Sequence, residues 1–153
     1  MSEPLGDLQD QSFDKATAAT NTSYPPERRL SAEQLTSYLG RRAFAVVGTT
    51  RADGRPHSAM SLYVRRGTTF WLPTMAGSVR ERHLRKTPWL TMVIAENDHP
   101  DHIAVIAEGP AGVVALPEVP EDVRAAVQSD WVDCWIRVDA ERLLSYADES
   151  AAL

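Results

Sequence analysis

From Ala43 onward the apolar positions fall into short extended runs separated by turns rich in Gly, Pro and Asp, which predicts a series of strands. Ala43 to Thr50 is apolar on both faces (Phe44 and Val46 against Ala45 and Val47), as expected of a strand covered on two sides. Arg51-Ala52-Asp53-Gly54 reads as a hairpin turn, with Asp-Gly supplying the positive-φ position. The chain returns from Pro56 to Val64 with His57, Ala59, Ser61 and Tyr63 on one face and Ser58, Met60, Leu62 and Val64 on the other. Arg65-Arg66-Gly67 turns into a third strand, Thr68 to Thr74, and further strands are predicted over Trp89 to Glu96, Ile103 to about Ala115, and Trp131 to Val138. Gly109-Pro110 and Gly112 break the regularity of the long run and predict a bulge or barrel corner. Arg142 to Tyr146 is a candidate last extended piece.

Helical signals are fewer. Ser31-Ala32-Glu33-Gln34 has capping-box spacing and is followed by Leu35, Tyr38 and Leu39 at helical intervals, with Gly40 as the stop. Ser78 to Glu81 has the same spacing and opens a basic helix that Pro88 ends. A short helix is predicted from Glu118 to about Gln128. Strands with exposed edges aggregate unless closed or covered, so the economical arrangement is a mainly β fold: a six-stranded antiparallel split β-barrel with inserted helices. Residues 1–29 are rich in Ser, Thr, Ala, Gln and Asp with little periodicity and predict a flexible N-terminal extension. Residues 30–148 predict the single barrel domain, which 153 residues accommodate.

Composition changes this picture in two ways. A hydrophobic fraction of 43% with a single cysteine, Cys134, fits a soluble protein with a core and no internal disulfide, and points to a cytoplasmic location. No apolar stretch is long enough for a membrane span, so no membrane partner is expected. The net charge is −5, yet between Arg41 and Pro88 ten Lys or Arg face two acids, Asp53 and Glu81. An acidic chain with one basic block is prepared for an anion.

The centre of that block is Thr74-Met75-Ala76-Gly77-Ser78-Val79-Arg80. A helix start directs free N–H groups and a partial positive charge outward. With the hydroxyls of Thr74 and Ser78, the backbone at Val79 and the cation of Arg80, it forms a seat for a phosphate group. The other arginines (Arg51, Arg55, Arg65 and Arg66) are equally compatible with solvated hairpin ends and with contacts to a more acidic ligand. Aromatics among the basic residues raise single-stranded nucleic-acid binding, but the overall acidity and a cluster placed at a helix start argue against it. Asp98-His99-Pro100-Asp101-His102 holds two His and two Asp, and its turn formers read as a solvated loop, so no metal site is expected. Cys134 alternates with Val132 and Ile136 as a small core residue, and no local signature of a nucleophile is present.

The order of these features resembles the pyridoxamine 5′-phosphate oxidase-like split-barrel flavoproteins: a helix, an apolar strand, Asp53-Gly54-Arg55-Pro56-His57, a strand, the Thr-x-x-x-Ser-x-Arg turn, and Arg82-His83-Leu84-Arg85-Lys86-Thr87-Pro88 before another strand. Ala107-Glu108-Gly109 stands where that family has a hydrophobic-x-Gly motif. The resemblance runs from about Ser31 to Tyr146. It implies a homodimer with two cofactor sites at the subunit interface, each holding FMN or, in some branches, a deazaflavin. It further implies that the second strand, at Met60, Ser61 and Leu62, lies along the ring system, and that Thr74, Ser78, Val79 and Arg80 bind the ribityl phosphate. His57 follows the turn and is compatible with either a cofactor-facing or a packing role.

The sequence departs from the family where the second strand of pyridoxamine phosphate oxidases carries an arginine and a lysine: here these are Ala59 and Val64. That points to a small-molecule substrate other than pyridoxamine phosphate. The function expected is a flavin- or deazaflavin-dependent oxidoreductase, with no catalytic side chain identifiable. The alternative is a non-catalytic binder of flavin, haem or another anionic ligand.

Overall fold

The computed structural model describes residues 3–98 and 102–153. The chain runs through helices α1 (Pro4–Lys15), α2 (Ala18–Ser23) and α3 (Ala32–Arg41), strands β1 (Phe44–Thr50), β2 (Pro56–Leu62), β3 (Val64–Arg66) and β4 (Thr69–Thr74), and helix α4 (Val79–Lys86). It continues through β5 (Trp89–Glu96), β6 (Ile103–Ala115), helix α5 (Glu121–Ala126), β7 (Cys134–Asp139) and β8 (Arg142–Ala147). Every pairing is antiparallel, in the order β2-β1-β5-β6-β7-β4-β3, with β8 also on β6. The result is a curled split β-barrel.

Eight strands stand where six were expected, because two expected units divide differently. The run from Pro56 to Val64 breaks at Tyr63, whose hydroxyl donates to the Leu39 carbonyl at 2.6 Å, so β2 stays with β1 while β3 crosses to β4. Arg142–Ala147 is a full strand that pairs with β6. Conversely, β7 begins only at Cys134. Asp133 ahead of it is engaged elsewhere, its N–H donating to the Thr74 carbonyl and its carboxylate accepting from the Ala76 N–H.

The barrel corner at Gly109 is present. β6 pairs with β5 up to Pro110 and with β8 up to Glu108, and with β7 from Ala111 on. A Cβ on Gly109 would run into the Asp139 carbonyl, so the missing side chain is what lets the β7–β8 connection close over the corner. Inside, Phe70, Leu72, Leu90, Met92, Ile94, Val105, Ile136 and Val138 are fully buried. Each such side chain contributes about 1.5–3 kcal/mol by leaving water. A second cluster, Trp71, Trp135, Val119, Val123 and Val64, packs α5 on the other side of the sheet.

The N-terminal expectation is corrected. In place of a flexible extension over 1–29, α1 and α2 form, and α1 packs on β8 with Leu5 and Phe13 buried. The stripe on α1 is Leu5, Leu8, Gln9, Ser12 and Phe13, at helical spacing but with two polar members. Those two are fully employed. Gln9 Nε2 donates to the Leu30 carbonyl at 2.8 Å, Ser145 Oγ donates to Gln9 Oε1, and Ser12 Oγ accepts from the Leu143 N–H at 2.9 Å. The Arg29 guanidinium lies 3.6 Å above the Phe13 ring. Among the described residues no helix is long and apolar enough to cross a membrane.

Candidate functional site

The turn between β4 and α4 begins with Thr74, whose hydroxyl donates to Ser78 Oγ at 3.0 Å. Gly77 takes φ +77°, a backbone state that glycine adopts at no cost. Ser78 is extended and caps the helix, its Oγ accepting the Glu81 N–H at 3.2 Å. The Glu81 carboxylate does not return to Ser78 as a capping box requires. It accepts instead from the Gly77 N–H and from Arg85 at 2.5 Å. These bonds, the Gly77 N–H first and then Arg85, hold its carboxyl below the usual carboxylate range. With the Gly77 and Glu81 N–H groups engaged, the first-turn donors with no acceptor in the helix are those of Val79 and Arg80.

Arg80 leans across to β2, where its guanidinium donates to the Met60 carbonyl at 3.3 Å. Burial pushes its pKa down from the usual arginine value. β2 is an edge strand, so its outer row of backbone groups is open beside this arginine. Among the described residues no carboxylate pairs with Arg80.

Thr74, Ser78, Val79 and Arg80 are thus brought together with the backbone of Met60. The Met60 side chain is 65% exposed and points to the outer face. Ser61 faces inward, buried, and its hydroxyl donates to the Leu62 carbonyl at 2.8 Å, while Leu62 itself is half-buried. His57 stands three residues back along β2, edge-on to His83 with ring centroids 5.1 Å apart. His57 Nδ1 is buried and has no hydrogen-bond partner among the described residues.

His83 was not singled out in the sequence, although its spacing of three from Arg80 places both toward β2. Its Nδ1 lies 2.9 Å from Thr49 Oγ1, and burial, then His57, Arg82 and Arg51, push its pKa down. Beside it Arg51, Ala52, Asp53, Arg82 and Lys86 line a crevice of about 450 Å3. The remaining arginines of the basic block are occupied: Arg41 and Arg42 with Glu96, Arg55 with Asp53, Arg66 with Asp122, Arg85 with Glu81, and Arg65 on the Gly67 carbonyl. His99, Pro100 and Asp101 of the candidate metal loop lie outside the described residues. Among the described ones no three His, Cys, Asp or Glu side chains converge.

The outer face of β1, β2 and β5 is apolar. Val46 is paired with Met60 on one side and Val93 on the other, with Phe44 two residues along, and all four are at least a third exposed. Contiguous exposed apolar patches of this kind are typical of interaction faces.

The family model described as Pyridoxamine 5′-phosphate oxidase matches residues 31–145. No curated protein matches the chain. Among solved structures, a conserved hypothetical protein from Mycobacterium tuberculosis superposes with a TM-score of 0.66 at 19% identity, covering 80% of this chain and 88% of the other. An FAD-binding protein from Mesorhizobium loti gives 0.65 at 18% identity, over 80% and 97% of the two chains. The haem storage protein HutZ from Vibrio cholerae gives 0.60 at 17% identity, over 75% and 93%.

Proposed function

This chain belongs to the pyridoxamine 5′-phosphate oxidase family of split-barrel proteins, and from that premise we propose that it is a flavin- or deazaflavin-dependent oxidoreductase working as a homodimer. The observation that carries the reading is the junction of Arg80 with the open edge of β2. A guanidinium without a carboxylate partner among the described residues, two free N–H groups at Val79 and Arg80 and the Ser78 hydroxyl stand beside an unpaired strand edge. This donor set fits a phosphorylated ring system: charge and N–H donors for the phosphate, and alternating backbone donors and acceptors for the polar edge of the ring. FMN is the simplest such cofactor, and the bound ring supplies the capacity to take up or release a hydride or electron pair.

The chain's own residues have narrower tasks. Arg80 and the Val79 N–H anchor the phosphate, Met60, Ser61 and Leu62 present backbone to the ring, and His57 bounds the site at its far end. With Ala59 on β2 and Val64 at the start of β3, neither position offers a cation, so Arg80 carries the phosphate charge without a partner from them. A substrate other than pyridoxamine phosphate is in keeping with that. The apolar face of Phe44, Val46, Met60 and Val93 is the surface a second copy would cover, which would also enclose the β2 edge.

Replacing Arg80 by Ala removes the charge-assisted bonds to the phosphate and is expected to weaken FMN binding at least about tenfold in calorimetric titration. Unchanged affinity would refute the seat. The second reading, a non-catalytic ligand binder, is favoured by the fold shared with a haem storage protein. Turnover of the reduced cofactor with any acceptor separates the two.

A further inference from the structure

A second cavity lies at the opposite end of β2 from His57, where Tyr63 separates β2 from β3. It measures about 360 Å3 and shares no lining residue with the crevice beside His83. The C-terminal ends of α3 and α5 and the segment from Leu62 to Arg66 wall it, with Leu39, Ala43, Leu62, Val64, Ala126 and Val127 as its apolar surface. The guanidinium groups of Arg42, Arg65 and Arg66 add charge to this lining. The three differ in what already holds them. Arg42 donates to the Ala95 carbonyl at 3.0 Å and lies 3.5 Å from Glu96, and Arg66 donates to Asp122 at 2.6 Å. Arg65 pairs with no carboxylate among the described residues. Its Nη1 donates to the Gly67 carbonyl at 2.9 Å, while its Nε is buried and has no hydrogen-bond partner among them.

The Tyr38 hydroxyl, buried on α3, is likewise unpaired among the described residues. Tyr38 and Arg65 both act on Tyr63: burial and then Tyr38 push the Tyr63 pKa up, and Arg42 and Arg65 pull it down. Buried polar groups are nearly always paired, so these two donors suit an acceptor brought from outside the chain. The helix ends oppose an anion in part, because C-termini carry partial negative charge. At α3 that charge is already reduced, since the Leu39 carbonyl accepts the Tyr63 hydroxyl and the Tyr38 carbonyl accepts the Arg42 N–H. We propose that this cavity binds a small carboxylate with an apolar body. The carboxylate takes the Nε edge of Arg65, where parallel N–H···O bonds match the planar guanidinium, and the body lies on the leucine and valine walls. The volume is at the lower end for ligand pockets and limits the body to one ring or a short chain. The site is separate from the phosphate seat and does not depend on the flavin reading.

The test is heteronuclear NMR titration of the full chain, arginine Nε–Hε resonances included, with benzoate and with benzamide, its uncharged counterpart. Benzoate is expected to move the Arg65 Nε–Hε resonance saturably and to bind about tenfold or more tighter than benzamide. Arg65→Gln removes the charge and is expected to bring benzoate down to the affinity of benzamide. Ala126→Trp keeps the guanidinium and fills the cavity from an exposed position, so the core is left alone; it should weaken benzoate by a similar factor. Equal affinity for the two probes, or no saturable shift at Arg65, would overturn the inference. So would unchanged benzoate binding in either variant. Shifts confined to Arg80 or to Arg51 and Arg82 would also overturn it, because the carboxylate would then sit at the phosphate seat or in the crevice.

Discussion

Glu81 is the most informative single residue to perturb, because it opposes its surroundings. Its side chain is 10% exposed, it sits in the first turn of the helix at the proposed phosphate seat, and it is negative. In Glu81→Gln the carboxamide oxygen still accepts the Gly77 N–H, but as a neutral bond worth about 1 kcal/mol less than a charge-assisted one. Arg85 loses its partner too, and since Arg85 is 71% exposed that adds only about 0.5 kcal/mol. The sum, about 1.5 kcal/mol, corresponds to a melting temperature lower by about 3–6 °C for a chain of this size. The folded carboxyl is held below its ordinary value of 4.5, so the stability it contributes is complete above that value and is lost as pH falls through the folded pKa. The gap between wild type and variant must therefore close in acid. The same substitution removes a negative charge from beside the seat, so FMN should bind more tightly while the protein melts lower. A variant with wild-type melting temperature at neutral pH, or a gap that persists unchanged in acid, would refute the assignment of Glu81.

Other expectations follow from features away from the turn. Gly109→Ala forces a methyl against the Asp139 carbonyl and should cost about 1–3 kcal/mol in urea unfolding, whereas Gly112→Ala, with open space around it, should cost less. Val46→Asp places a charge at the centre of the apolar face and, in the proposed homodimer with that face covered, should loosen association by about two orders of magnitude in sedimentation. A variant that stays as dimeric as the wild type would exclude this face. Burial pushes the Cys134 thiol up to about 11, so disulfide reagents should leave it untouched in the folded protein at mildly alkaline pH and modify it after unfolding.

Much of the barrel was legible because its signals are local. The Asp53-Gly54 turn, the strand over Trp89 to Glu96 and the broken rhythm at Gly109-Pro110 each depend on a few adjacent residues, and each element formed there. The division at Tyr63 was not legible, because it depends on a bond to Leu39 in another element. Helix α1 was hidden by composition: Gln9 and Ser12 occupy its inward stripe, and only their partners Leu30, Leu143 and Ser145 explain why polar residues sit there. At the site, the proposed seat lies in one continuous segment, Thr74 to Arg80, where its residue types stand side by side. The crevice could not, because Arg51 and Arg82 lie far apart in sequence and meet only when α4 lies against the β1–β2 turn. Charge counting marked the basic block, but which of its arginines already had partners was a property of the fold.

The docking of α1 on β8 also bears on how the molecule is made. Ser12 and Gln9 meet Leu143 and Ser145 across 131 and 136 residues of chain, so α1 is synthesised long before the strand it packs on. Local hairpins such as β1–β2 can close as soon as they emerge, whereas α1 must wait with Leu5 and Phe13 uncovered. A released chain ending before Arg142 would hold β1 to β7 without the strand that α1 clasps. Until β8 follows, the uncovered face of α1 is open to chaperones and proteases.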